Sequence, residues 1–373
     1  MFEILLDPAN YPFWLLIIAC IAGAIAIMAR PFSTYVKFVY PNAKFEAMGN
    51  PFIGSKELES IAESKDIISF KETINTLKDY NISGDDVYSI HKGLDENFLA
   101  TVAMMRTDSS KKLTAFFDAY LAKQDIALIK TVLKNRVMGK KSSIDADKAL
   151  LSRTKDLLAQ LHDADADDLA AIITSFGLPD EIGELIVQQP LDVIALDVAI
   201  DKHIITTLDQ VKVPYKCTVP KEKLVKTMID IQNIKNLIRA KQRNYDEAAC
   251  KTLFIGEGSE LAAWKFTELA EVDSVSQIIA GLEGTSYYSA LKDAIEIYTK
   301  EASVQLLEIA LDIHFLRLIT ALSTQHFVTI GPTIRFLVSK EFEIKNLKII
   351  AKGISEQVTA DRITRLLVTE DAS

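Results

Sequence analysis

The chain has 373 residues, 49% hydrophobic and 25% charged, a globular composition long enough for two or three domains or one large repeated body. A formal charge of −9 excludes nucleic acid as a natural partner, because phosphate recognition needs clustered Lys and Arg. Cys20, Cys217 and Cys250 are far apart with no C-x-x-C spacing, so neither a disulfide framework nor a zinc site is indicated, and a reducing cytoplasm is the natural compartment.

The first 32 residues form a segment of their own. From Phe13 to Ala29 there is no charge, and with Tyr11 and Pro12 the run approaches the ~20 residues that cross a bilayer. The composition predicts a transmembrane helix over about residues 13–29. Only Glu3 and Asp7 precede it, whereas Arg30, Lys37 and Lys44 follow. This asymmetry puts the N-terminus outside and the bulk of the chain in the cytoplasm, and differs from a secretory leader, which opens on Lys or Arg. Ala19, Ala22, Gly23, Ala24 and Ala26 give the segment a small-residue face suited to close packing.

Beyond the anchor, helix follows helix. The segments Lys112 to Val137, Asp192 to Thr207, Lys221 to Arg243 and Ala290 to Thr320 carry apolar residues at i, i+3, i+4 and i+7. Gly, Pro, Ser and basic residues punctuate this pattern at 81–85, 139–143, 214–220 and 281–286, the expected linkers.

Two elements recur three times. Asp125, Asp230 and Glu343 each begin a stretch in which a basic residue follows at +5 and another at +9: Lys130 and Lys134, Lys235 and Arg239, Lys348 and Lys352. Upstream lie Asp95, Asp201 and Asp312, each directly after a Leu or Ile and preceding the later acid by 30, 29 and 31 positions. Within the later element, apolar residues form one stripe and the two basic residues share a neighbouring face. A unit of this kind cannot bury its stripe alone, so three would pack around one core with pseudo-three-fold symmetry. The expected divisions are 33–140, 141–250 and 251–373, whole subdomains rather than short solenoid repeats.

No catalytic constellation accompanies the repeat. The nearest approach to a phosphate loop, Gly49 to Lys56, has its Ser and Lys in the wrong order and contains Pro51, and reads as a turn. His91, His162, His203, His314 and His326 are scattered, and His203 and His314 sit two residues after a repeated Asp as inherited scaffold. The tract Asp163, Asp165, Asp167 and Asp168 lacks the calcium-loop frame and reads as a solvated face. Neither a cofactor nor a metal is called for, and no reaction class is indicated.

The stretch Tyr40-Pro-Asn42-Ala43-Lys44-Phe45-Glu46-Ala47-Met48, followed by Lys56-Glu57-Leu58, resembles the start of the C subunit of archaeal A-type ATP synthases, a relative of the d subunit of V-type ATPases. Asp230-Ile-Gln-Asn233-Ile-Lys235 and Lys340-Glu341-Phe-Glu343-Ile-Lys-Asn346-Leu347-Lys348 are similar to two later motifs of that family, and the likeness runs from about Tyr35 to Leu367. Leu128 stands where the pattern tends to have Asn, and the apolar N-terminal segment is an addition to it.

The resemblance implies an all-α funnel of three similar helical subdomains, here with an N-terminal transmembrane helix. It implies a non-catalytic central-stalk rotor subunit, one copy per complex, joining the membrane ring of c/K subunits to shaft subunits of the D and F type in proton- or sodium-driven ATP synthesis. Asp95, Asp125, Asp201, Asp230, Asn233, Asp312, Glu343 and Asn346, with the six basic partners, are then candidates for holding subdomains in register or for touching partners. The residues alone also permit a membrane-anchored helical-repeat binding or sensor protein.

Overall fold

In the computed structural model, which describes residues 11–49, 52–77, 79–138, 146, 149–164, 168–188 and 190–370, every long element is a helix and no strand occurs among the described residues. The all-α class read from the periodicity is what the chain adopts.

Helix α1 runs unbroken from Tyr11 to Met48, about 57 Å at the usual rise per residue. The apolar segment therefore continues straight into the Tyr40–Met48 motif, with Pro31 and Pro41 inside the helix. A proline removes one hydrogen bond and bends a helix without ending it when both flanks are held. The second half is held by burial of Thr34, Phe38, Pro41, Asn42 and Phe45, with Phe45 stacked on Phe336 at 5.5 Å. The first half is not: Leu15, Leu16, Ile18, Ile21, Ile25, Ile27 and Met28 are all exposed. It is the one helix among the described residues long and apolar enough to cross a membrane.

The body is built on six longer helices. These are α4 (Val87–Asp108), α5 (Thr114–Val137), α9 (Val193–Gln210), α10 (Thr218–Gln242), α15 (Val304–Gln325) and α16 (Gly331–Ser355). Short connections join α4 to α5, α9 to α10 and α15 to α16, and then α5 packs on α9, α10 on α15, and α16 back on α4. The last contact closes the circuit, giving a ring of six helices with no free end. Helix α16 is the most enclosed member, burying residues on every side from Gly331 to Gly353.

Shorter helices sit outside the ring as three lobes. The lobe of α6 (Ser152–Asp163), α7 (Leu169–Ser175) and α8 (Asp180–Val187) covers α5 and α9, with its own core of Leu157, Leu161, Ile173 and Ile182. The lobe of α11 (Glu247–Thr252), α12 (Ala263–Glu271), α13 (Val275–Gly281) and α14 (Ser286–Glu301) covers α10 and α15. Helices α2 (Ser55–Ala62) and α3 (Ile67–Asn75), with α17 (Ala360–Thr364), cover α16. The third lobe thus draws on both ends of the body.

One periodic segment differs from its expected form. The run Ala290 to Thr320 is two helices, α14 and α15, separated where Ala302 adopts a left-handed conformation with φ of 50°. Apolar spacing survives on both sides of this one-residue reversal, so periodicity alone carries across it. The expected linker at 139–143 and Asp165 and Asp167 of the acidic tract lie outside the described residues.

Candidate functional site

The repeated charges meet at the three junctions of the ring. Lys130 on α5 binds Asp201 on α9 at 2.6 Å, and Lys235 on α10 binds Asp312 on α15 at 2.6 Å. Lys348 on α16 binds Asp95 on α4. In each case the +5 base of one late helix reaches the repeated acid of the next early helix, and the third pair returns to the first repeat. No side chain of the three pairs is more than 27% exposed, so removing one partner leaves a largely buried charge uncompensated. Burial pushes the Asp201 carboxyl up, and Lys130 only partly offsets it.

A second row lies one helical turn away. Lys134 binds Asp197 at 2.6 Å, and Arg239 grips Glu308 with two bonds of 2.5 and 2.7 Å. That fork raises the Arg239 pKa, chiefly through the hydrogen bonds to Glu308. At the third junction His91 occupies the acid's place, four residues before Asp95. Its Nε2 lies 3.1 Å from the Lys348 carbonyl, and Lys352 turns to Glu356, the residue that caps its own helix, at 2.7 Å. The second row is therefore complete at two junctions and altered at the third.

The late acids clasp the lobes. Asp125 accepts the amides of Leu150 and Leu151 at 2.7 and 3.0 Å. Asp230 accepts those of Ser259, Glu260 and Leu261, and the Tyr287 hydroxyl at 3.0 Å. Glu343 accepts the Ile53 amide at 3.0 Å and the Tyr80 hydroxyl at 2.5 Å, while Lys340 neutralises it at 2.7 Å. Gly258 makes the Asp230 clasp possible, since a Cβ there would stand 1.7 Å from Oδ1. Burial raises the pKa of both Asp125 and Asp230 in spite of the amides that favour their charged forms.

Asn233 and Asn346 do equivalent work. Asn233 donates to the Gly256 carbonyl and accepts from the Ile255 amide; Asn346 donates to the Val368 carbonyl and accepts from the same residue's amide. Leu128, at the corresponding place in α5, instead packs against the core of the first lobe. In the opening motif, Asn42 donates to the Phe327 and Thr329 carbonyls at 2.6 and 2.8 Å, tying α1 to the α15–α16 turn. Tyr40, Ala43 and Met48 face outward.

One cluster has no repeat signature. Buried Glu341 on α16 accepts from the Tyr120 hydroxyl and from Lys123 at 2.9 Å, both on α5, and from Lys345 at 2.7 Å. Burial opposes its ionisation, but Lys123, Lys345 and Tyr120 outweigh that and hold the carboxyl far below the usual range. The cluster sits beside a cavity of about 840 Å³ where α4, α5 and α16 meet, lined by Asp95, Asp125, Lys345, Lys348 and Lys352 among others. The second-row acids also escaped the sequence motif, although an acid four residues before Asp201 and Asp312 is a readable sign. Among the described residues no group of three or more His, Cys, Asp or Glu could hold a metal ion.

A closed ring of three salt-linked helix pairs, with each repeated acid engaged in a hydrogen bond or ion pair, defines an all-α ring protein. The family described as "ATP synthase (C/AC39) subunit" matches residues 41–366. The A-type ATP synthase C subunit of Methanobrevibacter smithii is 30% identical over 361 residues, covering 90% of this chain and 89% of that protein. Those of Methanothermobacter thermautotrophicus and Methanocaldococcus jannaschii are each 27% identical, covering 92% and 89% of this chain and 91% and 86% of theirs. The chain belongs to the family of A-type ATP synthase C subunits, and is thereby a rotary ATP synthase subunit. The apolar half of α1 precedes the family match.

Proposed function

We propose that this protein is a non-catalytic coupling collar of the central stalk, seated on the membrane rotor ring and receiving the foot of the shaft. The observation that carries the reading is the closure of the charge circuit by Lys348 and Asp95. A collar that transmits torque must resist opening, and a ring whose first and last repeats are bonded has no free edge at which to shear. The repeats, taken as 33–140, 141–250 and 251–373, act in this reading as one stiff body. Charged rims suit orientation of the shaft more than tight affinity.

The apolar half of α1 crosses the membrane in this reading, N-terminus outside, with Arg30 and Lys37 at the cytoplasmic interface. Because α1 is one continuous helix, rotation of the collar turns the span with it, and the lumen of the rotor ring is the place where such a span co-rotates without friction. Its small-residue face fits close packing there. Affinity purification of the intact chain from membranes in mild detergent tests the proposal. Ring and shaft subunits are expected to co-purify; a chain recovered with the catalytic head but neither of these would refute the collar.

A further inference from the structure

A second cavity, of about 360 Å³, lies between α1 and the turns that end the ring helices. Arg30, Lys37 and Lys112 line it, Ser33 and Ser110 add hydroxyls, and Tyr215 forms one wall; no Asp or Glu is among its lining residues. The Arg30 guanidinium lies 4.6 Å from the Tyr215 ring centroid, a contact that supports the cation while leaving its N–H donors available. All three cations are exposed, and none of them pairs with a carboxylate among the described residues.

Depth gives the cavity its chemistry. Arg30 is the first charge after the uncharged run from Phe13, and Lys37 is two helical turns further along the same helix. With the apolar run in hydrocarbon, the cavity falls in the polar layer, where lipid phosphates sit. Cations gathered without acids, at the level of anions, match a phosphate in charge and position.

We infer that this cavity binds the phosphate of an anionic lipid headgroup through Arg30, Lys37 and Lys112, fixing the depth of α1. The inference rests on α1 spanning the membrane. Inorganic phosphate shares the chemistry and is the alternative source of the anion.

Native mass spectrometry of the full-length chain in mild detergent, with phosphatidylglycerol, phosphatidylcholine or inorganic phosphate added, tests it. Phosphatidylglycerol is expected to bind the native chain on the order of a hundredfold more tightly than it binds the R30Q/K37Q/K112Q variant. A control lacking the exposed Lys202, Lys292 and Lys300, none of which lines the cavity, is expected to bind as the native chain does. Equal binding by the native chain and the cavity variant overturns the site, as does an equal loss in the control. Inorganic phosphate matching phosphatidylglycerol overturns the lipid source. Carbonate extraction of native membranes separates the two readings: release of the native chain overturns the span and the lipid site together. A retained chain that shows no preference for phosphatidylglycerol overturns the lipid site alone.

Discussion

Lys348 on α16 bonds to Asp95 on α4 across 253 positions of sequence, and in doing so repeats what Lys130 does with Asp201 and Lys235 with Asp312. The first two pairs join neighbours along the chain. The third joins its end to its beginning, so the repeat becomes a ring only through that pair and the helix packing around it.

Breaking the closing pair should therefore cost more than its local exposure suggests. Lys348→Met leaves Asp95 half-buried without its partner and is expected to lower stability by about 2 kcal/mol, whereas Lys352→Met should stay within about 0.5 kcal/mol. A double-mutant cycle with Asp95→Asn in the detergent-solubilised chain should give a coupling of about 1 kcal/mol. Additive effects of the two substitutions would mean that the pair does not hold the ring closed.

The altered second row offers a gain-of-stability test. His91→Glu restores an acid one turn before Asp95, within reach of Lys352 by analogy with Asp197 and Lys134. The variant is expected to raise the thermal midpoint at low salt by an amount equivalent to about 0.5 kcal/mol, and to lose that gain in high salt. A drop in the midpoint at every salt concentration would show that the third junction is not built like the other two.

The scaffold is legible in the sequence wherever a local pattern recurs. Asp201 and Asp312 with their lysine partners can be found because the +5 spacing is copied, and Asn233 and Asn346 because each stands three residues after a repeated late acid. The Glu341 cluster is not legible, since Tyr120 lies 221 positions away and no second copy exists to compare. The division at Ala302 is hidden for another reason: neither Gly nor Pro marks it, and the left-handed residue is an alanine. Continuity of α1 through Pro31 and Pro41 depends on the packing of Phe38 and Phe45, which no window of α1 alone contains.

Asp230 should make stability fall as pH rises. Its pKa is raised by burial above the ordinary 3.8, so the folded chain holds a proton that the unfolded chain has released. That contribution is full below 3.8 and is lost as pH climbs through the raised value. Asp230→Asn is expected to flatten this slope in thermal midpoints measured across the mildly acidic range, an unchanged slope counting against the assignment. Gly258→Ala, which drives a methyl into the same carboxylate, should destabilise at every pH by about 3 kcal/mol.

Glu341 should act with the opposite sign. Its carboxyl is held below the ordinary 4.5, so its stabilisation is present above that value and is lost as pH falls toward the depressed one. Glu341→Gln removes this acid-side loss and strips Lys123 of its buried counter-charge, at a cost of about 3 kcal/mol near neutrality. Equal acid sensitivity of the native chain and the variant in equilibrium unfolding would place the acid-labile group elsewhere.

Removing residues 1–32 separates the apolar half of α1 from the folded body. The docked half of α1 survives this truncation: Phe38 and Phe45 stay in the core, and Asn42 keeps its bonds to the Phe327 and Thr329 carbonyls. The shortened chain is expected to leave the membrane fraction yet unfold within about 1 kcal/mol of the full-length chain, because the removed half buries almost nothing against the body. Asn42→Ala in the shortened chain, by contrast, leaves two carbonyls without their donor and should cost about 2 kcal/mol. If α1 places the collar on the ring, retention of the truncated chain on purified rings falls while its helical content does not. Unchanged retention would assign ring docking to the body and leave the span a tether.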